Sequence, residues 1–181
     1  MIRLTKISTA HPFYTNVEEL MHESFPTNER RDDGKQRDAT DHTPEFNCYY
    51  ISTDDEPDDF LGFITIWHFE DFMYVEHLAI SPKHRNRGFG KMILDKIKEV
   101  AESKLIILEV ERPDDEMSRR RIGFYCRCGF HLCEKDYMQP PYREGEDMFP
   151  LYIMYCGTDS IDMQYEYIKT TIYKNVYHFS E

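Results

Sequence analysis

The stretch YVEHLAISPKHRNRGFGKMILDKIK, residues 74–98, decides the fold of this chain. Its first part predicts a hydrophobic strand, a Ser-Pro pair ends that strand, and the apolar spacing after Gly90 predicts an amphipathic helix. A basic loop, Arg85-Asn86-Arg87-Gly88-Phe89-Gly90, leads into the helix. Such a helix start presents free backbone N–H groups, positive side chains and the positive end of the helix dipole together. The stretch therefore predicts a site for an anionic group, most naturally a phosphate or pyrophosphate.

A second apolar strand is predicted at LIILEV, residues 105–110. Strand, helix and strand make a βαβ unit, in which the two strands should be parallel. Strict alternation along the first strand places Tyr74, Glu76, Leu78 and Ile80 on one face, with Met73, Val75, His77 and Ala79 on the other. Glu76 and Glu109 are carboxylates in otherwise apolar strands. That is unusual and favours a functional role, although pairing with an arginine for structural reasons is the alternative.

Further strands are predicted at residues 2–7, 46–52, 60–69, 130–134 and 148–156, and the second and third of these should form a hairpin. A helix through Val17, Leu20 and Met21 should be capped by Ser8 or Thr9. Another helix is predicted over residues 117–128, ending at Gly129. The charged segment 27–41 is either a solvated connection or a flap beside a substrate site. Residues 1–156 are assigned to one domain, and residues 157–181 to an appendage that could be helical.

Composition limits the classes of protein that fit. The 181 residues suit one domain, and the net charge of −12 argues against general nucleic-acid binding. No apolar run approaches the roughly 20 residues of a membrane span, and the N-terminus lacks a hydrophobic signal core. The five cysteines are therefore expected to be reduced thiols in a cytoplasmic protein, and neither they nor the histidines have metal-ligand spacing. An acidic surface could attract a cationic substrate, but more often it only keeps a protein soluble.

A second motif, RIGFYCRCGF at residues 121–130, follows the βαβ unit. With the basic glycine loop it makes the chain resemble the GNAT superfamily of acyl-CoA-dependent N-acyltransferases. The family's acetyl-CoA motif is Arg or Gln, two residues, Gly, one residue, and Gly or Ala, and it stands here at residues 85–90. The second motif is close to the family's recurrent FYxxxGF. The resemblance covers roughly residues 1–156 and is most specific over residues 74–135.

The resemblance implies a mixed α/β (α+β) fold: a mostly antiparallel sheet of six or seven strands, a central parallel βαβ unit, and helices on both faces. It also implies that the two parallel strands splay apart, through an irregularity near Ala79, to admit a thioester. The cosubstrate would be acetyl-CoA. Backbone groups of Leu78, Ala79 and Ile80 would contact its pantetheine arm, and Ser118 could replace the asparagine that many members have after the second strand. The residues expected to hold its pyrophosphate are Arg85, Asn86, Arg87, Gly88, Phe89, Gly90 and Lys91.

By the same resemblance the chain is an N-acetyltransferase that moves an acetyl group directly to a primary amine in a ternary complex. Tyr125 would be the general acid, unless it is only a core aromatic residue. Glu76 ranks ahead of Glu109 as the base, and some members use only water. The acceptor would be a small-molecule or peptide amine, bound in a pocket shaped by residues 137–142 and the flap.

Two further points stay open. The alternative function is a CoA-binding sensor or partner module without transferase activity. A homodimer is common in such folds by analogy, and the tyrosine-rich C-terminal segment could serve it.

Overall fold

The fold is built on a single sheet, seen in a computed structural model that describes residues 1–179. Seven strands of this part of the chain pair in the order β1-β2-β3-β4-β5-β7-β6. Only β4 and β5 run parallel, and the other neighbours are antiparallel. The predicted mixed, mostly antiparallel sheet is thereby confirmed. The strands are β1 Ile2–Ile7, β2 Phe46–Thr53, β3 Gly62–His68, β4 Phe72–Ile80, β5 Leu105–Glu111, β6 His131–Gln139 and β7 Phe149–Cys156.

Helices cover both faces of the sheet. The buried residues of α1, α2 and α5 pack in one core on one face, here called the α1/α5 face. The buried residues of α3 and the partly buried apolar residues of α4 pack in a second core on the opposite face, the α3/α4 face. The helices of the described residues are α1 Tyr14–Ser24, α2 Asp33–His42, α3 Phe89–Ala101, α4 Glu116–Arg127 and α5 Tyr165–Val176. None of them combines the length and the hydropathy that a bilayer crossing requires.

Helix α3 connects the two parallel strands and follows its predicted apolar pattern. Ile93, Leu94 and Ile97 are fully buried because their 3.6-residue spacing places them on one side. Near the end of the helix, Ala101 is buried and Val100 is 44% exposed. Gly129 adopts the left-handed conformation (φ 84°) just after α4, as predicted for a helix stop.

Two predicted boundaries are wrong. Helix α1 begins only at Tyr14 and has no side-chain cap. The N–H and hydroxyl of Thr9 instead donate to the Asp41 carboxylate, at 2.9 and 2.5 Å. Strand β6 runs on to Gln139, past the predicted end at residue 134, because an irregularity after Cys133 lets it pair again with β7 from Tyr137.

The C-terminal segment is an integral part of this core, which corrects its assignment as an appendage. Helix α5 buries Ile168, Ile172 and Val176 to 1% exposure or less, in the same core as α1 and the sheet. The charged segment 27–41 is likewise ordered. It forms a 3₁₀ turn, Thr27–Glu29, and then α2, whose first turn is capped by Asp32 accepting from the Lys35 N–H at 2.9 Å.

Candidate active site

The two parallel strands separate in the middle of the sheet. Strands β4 and β5 pair from Phe72–Leu105 to Val75–Leu108, and the last five residues of β4 have no partner in β5. Beyond this point the strands line a cleft of about 620 Å³. The cleft reaches from the C-terminal end of α1 to α4. The splay expected from the family resemblance is present in this fold.

A β-bulge lies at Glu76, three residues before the position expected for the irregularity. Thr65 of β3 pairs with His77 and the next residue, Ile66, pairs with Val75, so Glu76 has no partner in β3. Strict alternation fails at this point. Glu76 and His77 both reach groups of the α1/α5 face, and Leu78 and Ile80 return to the α3/α4 face. The predictions that Glu76 shares a face with Leu78, and that His77 points away from it, are therefore wrong.

The end of β4 presents backbone groups to the cleft. The Ser81 N–H donates to the Leu61 carbonyl of the neighbouring chain segment at 2.8 Å. Because such groups alternate along an antiparallel strand, Ala79 should also bond toward β3, while Leu78 and Ile80 face the cleft. A contact of Arg85 supports this orientation of Ile80, because the Arg85 Nε donates to the Ile80 carbonyl at 2.9 Å. Gly62 permits the close strand approach, because a Cβ there would lie 2.1 Å from the Ala79 oxygen.

The basic loop forms a cradle of backbone amides at the start of α3. After a 3₁₀ turn, Pro82–His84, the left-handed residues Asn86 (φ 62°) and Gly88 (φ 81°) wind the chain into the helix. The backbone N–H groups of residues 86–91 have no acceptor within residues 1–179. A Cβ on Gly88 would meet no heavy atom within 4 Å, so the protein leaves open space there. Free amides, a helix N-terminus and open space together fit an anionic phosphate group.

Basic side chains surround this cradle, but not all are equally available. Lys91 is paired with Asp95 at 2.5 Å on the outer surface of α3. Arg85 extends along the cleft toward Ile80, with Glu23 3.9 Å away. Arg87 is exposed and makes no ion pair within the described residues. Arg87 is thus the side chain with most freedom to meet a phosphate.

Tyr125 lines the cleft from α4. Its ring packs edge-on against Phe130, with centroids 5.7 Å apart, and its hydroxyl makes no hydrogen bond within residues 1–179. Burial raises the pKa of Tyr125, so the phenol holds its proton at neutral pH. A protonated, unpaired phenol on a cleft wall can donate a proton or a hydrogen bond to a bound group.

Glu76 is held in an ion pair rather than free. Arg31 Nη1 and Nη2 lie 2.9 and 2.7 Å from its two oxygens, and the Trp67 indole N–H and the Tyr142 hydroxyl also donate to it, at 2.9 and 2.8 Å. Burial alone raises the pKa of Glu76, but Arg31 and the other partners of the carboxylate together outweigh that effect and hold the pKa below its ordinary value. A carboxylate with four donors and a depressed pKa is a poor proton acceptor. This geometry favours the alternative for Glu76, in which it pairs with an arginine for structural reasons.

His77 is a packed residue. Its Nε2 lies 2.9 Å from the Glu29 carbonyl and therefore carries the proton, while Nδ1 lies 3.3 Å from the Thr65 hydroxyl. Only 2% of its surface is exposed, and burial lowers its pKa. The imidazole is thus neutral and links the segment before α2 to the bulge.

Glu109 has a different environment on β5. The hydroxyls of Tyr137 and Tyr177 donate to its two oxygens, the second at 2.7 Å, and no cation pairs with it within residues 1–179. Burial raises the pKa of Glu109 to about 7, against the lowering effect of these hydrogen bonds. It lines the same cleft as Tyr125, but from the α1/α5 face. A carboxyl group that titrates near neutral pH is suited to proton transfer.

Ser118 is used in the fold rather than in the cleft. Its N–H donates to the Asp115 carboxylate at 2.8 Å, and its hydroxyl accepts from the Asp115 N–H at 3.2 Å, which makes a capping box at the start of α4. Only 1% of Ser118 is exposed. We therefore assign its hydroxyl to the helix cap and not to the cosubstrate.

A smaller pocket adjoins the cleft on the α1/α5 face. It is lined by residues that include Glu29, Glu111, Gln139 and Tyr142, so both the 27–41 segment and the end of β6 contribute to it. Sequence reasoning missed that Arg31 and Tyr177 hold the two strand carboxylates. Arg31 lies in a run of charged residues and Tyr177 in a supposed appendage, so no sequence signal distinguished them.

A sheet split between its two parallel strands, with an amide cradle at the mouth of the split, defines the class of acyl-CoA-dependent acyltransferases. Residues 14–130 match the model of the acetyltransferase (GNAT) family. A solved structure of a protein from Bacteroides thetaiotaomicron, assigned to the same family, is 44% identical, covers 98% of this chain and 99% of its own, and has a TM-score of 0.93. The chain belongs to the GNAT family of acetyltransferases.

More distant structures share the fold. Arabidopsis thaliana NAA60 in complex with acetyl-CoA is 14% identical, with a TM-score of 0.61, and covers 86% of this chain and 97% of its own. A spermidine N-acetyltransferase of Vibrio cholerae is 13% identical, with a TM-score of 0.62, and covers 85% of this chain and 92% of its own. No curated protein sequence gives a significant match to the chain.

Proposed function

We propose that this protein transfers an acetyl group from acetyl-CoA to a primary amine, by direct attack within a ternary complex. The observation that carries the proposal is the cleft between the splayed ends of β4 and β5. Tyr125 lines it from the α3/α4 face and Glu109 from the α1/α5 face. A group held in the gap would thus have a proton donor on one side and a proton acceptor on the other.

The chain's own residues fit the cosubstrate. The amides of residues 86–91 would hold the pyrophosphate, with Arg85 and Arg87 beside them. Leu78 and Ile80 would offer their cleft-facing backbone groups to the pantetheine arm, which resembles a peptide and can act as an added strand. Arg85 must then release the Ile80 carbonyl. Acetyl-CoA supplies the activated thioester, and the protein supplies orientation and proton transfer.

Acetyl transfer to an amine requires two proton movements. An amine of lysine type has a pKa near 10.4, so reaching its neutral, nucleophilic form at pH 7 costs about 4–5 kcal/mol. Glu109, directly or through water, would take the amine proton. Tyr125 would donate its proton to the sulfur of the departing thiolate. No cysteine of the described chain lines the cleft, and this supports transfer without a covalent acyl-enzyme.

The test is release of free thiol from acetyl-CoA in the presence of polyamines, aminoglycosides, amino acids and N-terminal peptides, with CoA binding measured by calorimetry. Acetylation of a primary amine, confirmed by mass spectrometry, supports the proposal. If CoA binds but no amine is acetylated, the protein is a CoA-binding module instead. The carboxylate of Glu29 in the adjoining pocket places cationic amines first in the panel.

The Tyr125→Phe variant should lower kcat by about 10- to 100-fold while leaving the affinity for CoA unchanged. The phenol is the only group lost, and its hydroxyl holds no other residue of the described chain in place. Steady-state kinetics at saturating acetyl-CoA measure the effect. An unchanged kcat would assign Tyr125 to packing alone.

The Gly88→Glu variant should weaken CoA binding by more than tenfold, because its carboxylate would enter the proposed pyrophosphate cradle. The Gly88→Ala variant is the matched control. Both place a side chain at φ 81°, with similar backbone strain of about 1–2 kcal/mol, and only one adds negative charge. Calorimetric titration with CoA compares the two. Equal affinity in both variants would show that the loop is not the phosphate site.

A further inference from the structure

Tyr177 follows directly after α5 and contacts the carboxylate that the proposed reaction uses. Its hydroxyl donates to Glu109 Oε2 at 2.7 Å and accepts from Gln139 Nε2, also at 2.7 Å. The Tyr74 hydroxyl lies 3.2 Å away. The Tyr177 ring is buried, at 8% exposure, and packs against the Tyr142 ring with centroids 4.9 Å apart. The phenol is therefore fixed on both its ring and its hydroxyl.

The neighbours of Tyr177 allow its hydroxyl to serve both protonation states of Glu109. When Glu109 is ionised, Tyr177 donates its hydrogen to Oε2, since Gln139 already donates to the phenol oxygen. When Glu109 is protonated, Oε2–H can donate to the Tyr177 oxygen, which then turns its own hydrogen to Tyr74. The proton itself comes from the amine, and no covalent bond of Tyr177 breaks.

The second phenol on Glu109 has no such choice. Tyr137 donates to Oε1, and within residues 1–179 its hydroxyl has no other acceptor in hydrogen-bond distance. Burial raises the pKa values of Tyr74, Tyr137 and Tyr177 well above the ordinary value, so all three keep their protons across neutral pH. Tyr177 thus differs from Tyr137 in contacting both the carboxylate and an alternative acceptor.

We propose that Tyr177 is a positioning residue that holds Glu109 through its change of protonation, and that α5 thereby completes the active site. The proposal rests on the proposed function, in which Glu109 is the base. Tyr177 and Gln139 lie outside the family match, which ends at residue 130. The environment of the base is thus supplied by a part of the chain that the family model does not describe.

The titratable groups around Glu109 come from several elements. Glu76 of β4 is neutralised by Arg31, Glu111 is paired with Arg121, and Glu29 and the neutral His77 line the adjoining pocket. The other groups around Glu109 are phenols that stay protonated. A change in the Glu109 pKa after loss of one hydroxyl can therefore be assigned to that hydroxyl. The phenols are Tyr74 of β4, Tyr137 of β6, Tyr142 of the following loop and Tyr177.

The test is a carbon-13 NMR titration of the Glu109 carboxyl in the full chain without substrate, the signal being assigned through Glu109→Gln. In Tyr177→Phe the pKa of Glu109 should rise by about one unit, because the ionised form loses a donor. The matched control is Tyr165→Phe, which removes a buried hydroxyl of α5 that donates to the Asp136 carbonyl at 2.8 Å. The control should leave the pKa of Glu109 unchanged.

Kinetics then separate positioning from simple structural support. The ascending limb of kcat/KM against pH should move upward by the same unit in Tyr177→Phe, which lowers kcat/KM about fivefold at pH 7 and hardly at pH 9. An equal loss at every pH, or an unmoved carboxyl pKa, overturns the proposal. If Tyr177→Phe does not fold, Gln139→Leu is the second variant, because it removes the donor that orients the Tyr177 hydroxyl. It should raise the pKa of Glu109 by a smaller amount. An unchanged pKa of Glu109 in this variant would overturn the proposal.

The two levels of inference fail in different ways. If the wild-type protein acetylates no amine, the proposed function is wrong and the catalytic part of this proposal with it. If the wild-type protein is active and the limb of Tyr177→Phe does not move, only the role of Tyr177 is overturned.

Discussion

Replacement of Glu109 by glutamine should lower kcat/KM for amine acetylation about 10²- to 10³-fold at pH 8, with the affinity for CoA unchanged. Burial raises the pKa of Glu109 to about 7, so the carboxyl is protonated below that pH and able to accept a proton above it. In the wild type, kcat/KM should therefore rise with pH through about 7. Glutamine keeps the shape, and its Oε1 can accept from one tyrosine while its Nε2 donates to the oxygen of the other. It cannot take a proton, so the variant should lose this limb.

The control for this variant is Glu99→Gln, on the exposed surface of α3, where Glu99 pairs only with Lys96 at 2.9 Å. It should keep the full rate and the pH profile. Activity in Glu109→Gln equal to wild type would assign proton acceptance to water or to another group. The same titration affects stability: since the folded state binds the Glu109 proton more tightly than the unfolded chain, folding stability from this group falls as pH rises from about 4.5 to about 7.

Replacement of Arg31 by methionine should lower the free energy of unfolding by about 3–5 kcal/mol. Arg31 is 6% exposed, pairs with both oxygens of Glu76 and donates to the Val176 carbonyl at 3.2 Å. Its guanidinium also lies 5.3–5.5 Å from the centroids of three aromatic rings. Methionine would leave the Glu76 carboxylate buried without a counter-charge. Urea denaturation at pH 7 measures the loss.

The chain offers a matched control for that measurement. Arg37 also contacts a carboxylate through two nitrogens, at 2.6 and 2.7 Å from Glu18, but its side chain is 56% exposed. Arg37→Met should cost far less than Arg31→Met, since water screens a surface pair. Adding Glu76→Gln to Arg31→Met should recover part of the loss by removing the uncompensated charge. Similar losses for the two arginine variants would show that burial does not strengthen the Arg31 pair.

The fold was predictable because its signals are local. The alternation of β1, the apolar face of α3 and the glycine loop each follow from residues within one or two turns of each other. The bulge at Glu76 was not predictable from local signals, because it depends on which residues of β3 pair with β4. A one-residue shift moves every later side chain to the other face, so strict alternation places Glu76 on the same face as Leu78 and Ile80, where the bulge does not leave it.

The partners of the two carboxylates were hidden for a related reason. Arg30, Arg31 and Arg37 are equivalent as letters in a charged segment, and only tertiary packing buries one of them. Tyr177 lies 68 residues from Glu109 in sequence, so no periodicity connects them. The positions of Tyr125 and the glycine loop were anticipated because the family motif names them.

The short parallel pairing of β4 with β5 has a mechanical consequence. Strands β1 to β4 and strands β5 to β7 form two blades, joined edge to edge only from Phe72–Leu105 to Val75–Leu108. Helix α3, which connects β4 to β5, begins beside the open end of this joint. A ligand lying between the two blades could form hydrogen bonds to the separated strands as a further strand would. It would fix the angle between two parts of the sheet that the protein itself joins along less than half the length of β4.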